Sequence, residues 1–415
     1  MDSPKPNLLI LTAHYPCGEG EDFIGQELPF LSEQFQVSIV TADVQSEITR
    51  PLPVGVTFSR MPSFTQSGKT AENVRARFSK EYRKEAAALK QRGDFTSEIR
   101  RSTLDALVAS AHVARYIEQL DEFSSPVPLV ICSCRYNHLA YAGVRIKKAR
   151  EARKIGATCA VVRCHRKDME SPLPLSVCVD EGADGIYCGG ETAHTQYVSR
   201  YARSNNPSKY RIARIGTQEP GGLTPEKTED DLYFRIVTRG LNQQEAALLT
   251  DALSRIREGS VYWTHLGTQE DDLNALKSSA AALHTSDHVS CEILGPVSHE
   301  QAIKFYRSTR VDAFIQLNEP SSFLPLLESM SCGILPVAVN SGCNKDLVND
   351  DHGLLLPKDT TGEELAQVLT LLARMSPERL APQRAKARKW WKDYYNNEKN
   401  YRKFAGQLAA EAARL

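Results

Sequence analysis

Short apolar runs alternate with longer amphipathic stretches along the whole chain. Asn7–Thr12, Gln36–Thr41, Leu129–Cys132, Thr158–Val162, Gly185–Cys188 and Arg211–Arg214 read as strands. Between them Glu21–Glu33, Ala71–Lys90, Ser97–Leu120, Ala140–Lys154 and Glu191–Arg203 carry helical patterns. A second series of strands is expected at Phe234–Thr238, Ser260–His265, Val289–Leu294, Ala313–Leu317, Ile334–Val339 and Gly353–Leu356. Such alternation predicts α/β architecture, with two doubly wound parallel sheets and crossover helices. A connector rich in Pro, Gly and acids (residues 215–232) separates the two series. The tail Pro377–Leu415 is helical and aromatic, interrupted at Asn396–Tyr401. The expected domains are 1–222, 223–388 and a C-terminal helix, 389–415.

A chain of 415 residues has room for two such cores. A net charge of +0 excludes a global field that recruits nucleic acid. The apolar runs are too short to span a bilayer, and Met1–Pro6 lacks the apolar core of a signal peptide. A cytoplasmic protein is expected, with peripheral placement at the inner face of a membrane as a variant. One local exception to neutrality is the basic stretch Arg75, Arg77, Lys80, Arg83, Lys84, Lys90 and Arg92 with Phe78, Tyr82 and Leu89. It suits either an anionic membrane surface or a solvated helix face paired with Glu81 and Glu85. The ten cysteines sit mostly in strand-like contexts, and neither they nor the histidines show metal spacing. No metal is expected.

The densest chemistry lies in residues 311–339. A buried strand delivers an acidic loop, Asn318-Glu319-Pro320, to a helix expected to open at Ser321 and Ser322. Hydroxyls and amides at a helix N-terminus suit an anion. Further along that helix, Glu328 suits ribose hydroxyls. Together they describe a nucleotide-diphosphate site. Thr12–Ile24 places Gly18 and Gly20 after the first strand, where backbone can approach a ligand. His165 ends another strand, at the end where Rossmann-type sheets bind ligands.

These segments resemble glycosyltransferase family 4, in the branch that builds exopolysaccharides such as colanic acid and amylovoran. The likeness runs through Gly295-Pro296-Val297-Ser298-His299-Glu300, the 311–339 segment, Ser341-Gly342-Cys343 and Gly353-Leu354-Leu355. Tyr15-Pro16-Cys17-Gly18 with Glu21 and Phe23, and Arg163 through Asp168, extend it into the first domain. The resemblance implies a GT-B fold and a retaining hexosyltransferase without a metal or other cofactor. The donor is a nucleotide-diphosphate sugar, a UDP-sugar ahead of a GDP-sugar. The acceptor is a saccharide or lipid-linked oligosaccharide. It assigns His165, Glu319 and the Gly18–Gly20 loop to the transferred sugar. Arg239, Ser321, Ser322 and Phe323 go to the diphosphate, Pro296 and Val297 to the base, and Glu328 to ribose. Arg163 and Arg166 suit positive charge turned toward an anionic acceptor, or equally inert surface arginines.

Two departures stand out. Glu245 occupies the position of a phosphate-clamping lysine, and Glu319 and Glu328 enclose eight residues where seven are usual. They leave open a binding subunit without catalysis, and an epimerase or sugar-phosphate synthase of the same fold.

Overall fold

The computed structural model describes residues 5–18, 21–226, 228, 232–268, 273–281, 283, 287–317, 323–342 and 344–415. The chain forms two compact units, residues 1–215 with 399–415, and residues 216–398.

The strands of the first unit are β1 (Asn7–Thr12), β2 (Gln36–Thr41), β3 (Thr57–Arg60), β4 (Leu129–Ser133), β5 (Thr158–Cys164), β6 (Gly185–Cys188) and β7 (Tyr210–Ile212). Its helices are α1 (Asp22–Gln34), α2 (Gln66–Phe78), α3 (Lys80–Arg92), α4 (Ser97–Ile117), α5 (Asp121–Ser124), α6 (His138–Ala152), α7 (Ser176–Gly182) and α8 (Glu191–Tyr201). The sheet order is β3-β2-β1-β4-β5-β6-β7, all parallel. The strands of the second unit are β8 (Phe234–Arg239), β9 (Val261–Leu266), β10 (Val289–Leu294), β11 (Ala313–Gln316), β12 (Leu335–Val339) and β13 (Leu354–Leu356). Its helices are α9 (Gln243–Ser254), α10 (Leu273–Ala281), α11 (His299–Ser308), α12 (Leu324–Ser331), α13 (Asn344–Leu347), α14 (Gly362–Ala373) and α15 (Pro377–Tyr394), and α16 (Asn397–Ala412) follows. That sheet runs β10-β9-β8-β11-β12-β13, again parallel.

The central strands of the first sheet are buried on both faces; β4 and β5 have no exposed residue. The expected helix over Ala71–Lys90 is in fact two. Ser79 ends α2 in extended backbone, and its hydroxyl accepts from Tyr82 N at 3.0 Å to start α3. The edge strand β3 went unpredicted because it is short, mostly polar and nowhere fully buried.

The C-terminal helix returns to the first unit. Phe404, Ala405, Leu408 and Ala412 enter the core formed by Leu8, Ile10, Leu28 and Val37. Within the second unit the two linking segments run side by side. Thr217 N donates to Tyr395 O (2.9 Å), and Asn397 N donates to Thr217 O (3.0 Å). A Cβ on Gly216 would lie 2.4 Å from Tyr395 O, so only glycine permits that approach.

Arg163 on β5 is fully buried, not turned to solvent as the acceptor reading requires. Its Nη1 binds Glu27 of α1 at 2.5 and 2.6 Å, and its guanidinium lies 4.6 Å from the rings of both Phe23 and Phe404. Helix α1, the sheet and the C-terminal helix thus share one buried cation. Glu27→Ala should cost about 3–5 kcal/mol, because it strands that charge. Glu27→Leu combined with Arg163→Met should recover most of the loss. Urea unfolding of the two variants checks both outcomes.

Candidate functional site

In the second unit, β8 and β11 are neighbours whose onward connections run to opposite sides of the sheet. A crevice opens beyond such a switch point. The last residue of β8 is Arg239, followed by Gly240 in left-handed backbone, φ 64°. Arg239 Nη2 donates to the Val297 carbonyl at 2.8 Å. Its Nη1 lies 3.6 Å from Oε2 of Glu328, on α12. The other carboxylate oxygen of Glu328 is 2.7 Å from Nδ1 of His299, the first residue of α11. Arg239 and Glu328 are each 7% exposed. Buried charges persist where each neutralises another.

Neither Arg239 Nη1 nor Glu328 Oε2 makes a hydrogen bond to a described residue, and nor does the buried Tyr306 hydroxyl of α11. Burial pushes the Tyr306 phenol up, and the Glu328 carboxylate adds to it. The group therefore presents one carboxylate oxygen, one guanidinium nitrogen and one phenol with hydrogen-bonding capacity in hand. Two loops frame it. Gly267 N donates to Leu294 O (3.1 Å) and Val297 N to Gly267 O (2.9 Å). Pro296 beside them is exposed. Phe323 precedes α12 and packs on the same apolar cluster as Val297. Glu319, Ser321 and Ser322 lie outside the described residues, and the described helix begins at Leu324.

Glu245, at the position where the resemblance expects a lysine, has a structural role. It is the N3 residue of a capping box on α9: Asn242 N donates to Glu245 Oε2 and Glu245 N to Asn242 Oδ1, both at 3.0 Å. The signal was in the sequence, as Asn242 followed three residues later by Glu.

In the first unit the switch point falls between β1 and β4. Glu21, in left-handed backbone, turns its carboxylate onto three consecutive amides past β1. Ala13 N, His14 N and Tyr15 N donate to it at 3.1, 2.8 and 3.0 Å. One carboxylate thus fixes the backbone of residues 13–15. Gly18, φ 57°, has its carbonyl held by Thr49 Oγ1 (2.9 Å) and Arg50 Nη2 (3.1 Å). Gly20 lies outside the described residues.

His165 follows β5. Its backbone N donates to Asp168 Oδ2 (2.9 Å), and its ring lies 5.4 Å from that of Phe23. A Cβ on Gly189 would sit 2.9 Å from His165 Nδ1, so the end of β6 makes room for this ring. Burial pushes the imidazole down to about 4, against the pull of Asp168. At neutral pH the ring is uncharged.

Sequence reading thus found Arg239, Val297 and Glu328, which the fold brings together. It missed His299 and Tyr306, whose partners are distant in sequence. Among the described residues, no group of three or more His, Cys, Asp or Glu is placed to hold a metal. No described helix is long and apolar enough to cross a membrane. The nine described cysteines are free thiols, eight of them buried.

The family model described as Glycosyl transferases group 1 matches residues 224–390. Comparison with curated proteins finds no match. Among solved structures the chain is similar to Anabaena HepE in complex with UDP and glucose, with TM-score 0.59 and 11% identity over 97% of this chain and 100% of that one. It is similar to the lipopolysaccharide outer core galactosyltransferase WaaB in its apo form, with TM-score 0.65 and 13% identity over 99% and 100%. It is also similar to sucrose-phosphate synthase from Thermosynechococcus elongatus, with TM-score 0.58 and 14% identity over 98% of each chain. At these identities the likeness concerns the fold, and the fold is GT-B.

Two outcomes follow from the geometry. Glu245→Lys should cost about 1 kcal/mol through the lost cap and leave nucleotide affinity unchanged, as calorimetry would read. His165 has a folded pKa below its unfolded 6.5, so its contribution to stability is full above that value and lost as pH falls toward about 4. Between about pH 7.5 and 5, wild type should lose on the order of 1 kcal/mol more than His165→Gln in urea unfolding.

Proposed function

We propose that the protein is a glycosyltransferase that moves a sugar from a nucleotide-diphosphate sugar to a saccharide acceptor. The observation that carries this reading is the Arg239–Glu328 pair beside the Val297 carbonyl, beyond the β8/β11 switch point. Three residues that the family resemblance assigns to a nucleotide meet there, inside the segment matched by the glycosyl transferases group 1 model.

In this reading Glu328 accepts the ribose hydroxyls, and backbone at Pro296 and Val297 borders the base. Arg239 receives the diphosphate together with Ser321, Ser322 and Phe323, which precede α12 in the sequence, and a helix N-terminus favours negative charge. These groups also stabilise the charge on the departing diphosphate without a metal. His165, uncharged at neutral pH, offers a hydrogen bond to the sugar rather than a counter-charge. Glu319 and the Gly18–Gly20 loop serve the same sugar. Transfer proceeds with retention, and the departing phosphate takes the proton of the acceptor hydroxyl. The complex of Anabaena HepE with UDP supports uridine as the base. An exopolysaccharide role with a lipid-linked acceptor accords with the sequence resemblance. A GT-B subunit without catalysis remains the second reading, favoured by the carboxylate of Glu245 where the resemblance expects a cation.

A thermal-shift screen tests the reading. A true donor raises Tm, and a ligand at about 100 times its Kd adds about 2.7 kcal/mol. UDP or GDP should stabilise where uridine or guanosine does not, and absence of any shift with either diphosphate or its sugars would overturn the reading. Glu328→Gln should weaken nucleotide binding by roughly 1.5–3 kcal/mol while keeping the volume of the side chain. His165→Ala should lower transfer far more than nucleotide affinity. Single-turnover kinetics and calorimetry separate the two effects.

A further inference from the structure

Helix α2 turns two apolar side chains to solvent. Glu72 and Ala76 are buried, and an arginine of α4, Arg115, pairs with Glu72. At 100° per residue, Val74 stands about 200° round the helix from both. Val74 is 55% exposed and Phe78, one turn on, is 77% exposed; Ala71 shares that face and is exposed too. Arg75 and Arg77 flank the strip on either side and are exposed. After Ser79, α3 begins with Lys80 and continues to Arg83, both exposed. Arg77, Lys80 and Arg83 form no ion pair with any described residue, and Arg75 approaches only Glu72, at 3.6 Å. Residues 69–92 hold eight Lys and Arg against three Glu, a net +5 in a chain whose total is +0.

An exposed Val or Phe standing alone needs no explanation. An apolar pair one turn apart, bordered by exposed cations, is the pattern of a helix that lies in a membrane interface. Its apolar strip enters the headgroup boundary, and its cations meet lipid phosphates. We propose that α2, with the first turn of α3, docks the first unit on an anionic lipid bilayer. Charge complementarity selects the anionic surface, and the Val74–Phe78 strip selects lipid over nucleic acid. Two side chains of insertion make the attachment reversible and sensitive to salt. The inference stands on this surface alone and does not depend on the transfer reaction.

The test is co-sedimentation of the full-length protein with vesicles. It should bind phosphatidylcholine vesicles containing about 30% phosphatidylglycerol and not vesicles of phosphatidylcholine alone, and high salt should release it. Val74→Ser with Phe78→Ser, and separately Arg75→Glu with Arg77→Glu, should each lower the partition coefficient by at least about tenfold. All four residues are exposed, so Tm should stay unchanged. Phe78→Trp should add a blue-shifted emission component on the anionic vesicles that wild type lacks. Equal binding to both vesicle types, no binding, or variants that sediment like wild type would overturn the proposal. So would tighter binding to single-stranded nucleic acid than to the vesicles.

Discussion

Two parallel sheets covered on both faces leave polar groups little place except strand ends and loops. That constraint organises the molecule. Strands β1 and β4 carry almost only apolar side chains, since each face must be buried, and where polar groups enter neighbouring strands, as Thr238 and His265 do, they meet each other. The chemistry therefore collects past the C-terminal strand ends, where backbone amides are unspent and neighbouring connections diverge. Arg239 is the last residue of β8, His165 the first after β5, and Glu21 closes the loop after β1.

The charges that do enter the interior obey a second constraint, that each must be solvated by protein. Three solutions recur. Arg163 meets a carboxylate and two aromatic faces. Arg150, fully buried, is held by Thr158 Oγ1 and by carbonyls that include Glu122 O and Ser125 O, so oxygen dipoles replace a counter-ion. Arg239 takes one carbonyl and one carboxylate at a longer distance. The first two are structural, with short contacts to their partners. The third is looser and keeps hydrogen-bonding capacity in reserve, which is what separates a binding group from a brace.

Much was legible along the chain. Twelve strands were expected from the sequence, most plainly those such as β4 and β5 where burial on both faces writes a strong local signal. The edge strand β3 was not, since it is four residues long, none of them fully buried, and three of them polar. Arg239, Val297 and Glu328 were readable from motif order, although they stand as far apart as residues 239 and 328. Glu245 was read only against a family pattern, while its own local capping signature, Asn242 followed three residues later by Glu, was also present.

What the sequence by itself determined is therefore what local physics encodes: the strand and helix periods, the helix caps, the glycines at tight turns, and the α/β class. Tertiary structure decided which charges meet. His299 reaches Glu328 only because α11 and α12 lie together, and Arg163 turns inward only because Glu27 and Phe404 arrive from α1 and the C-terminal helix. An arginine at a strand end looks the same in sequence whether it braces a core or faces a ligand. The difference lies in its neighbours, and the fold supplies them.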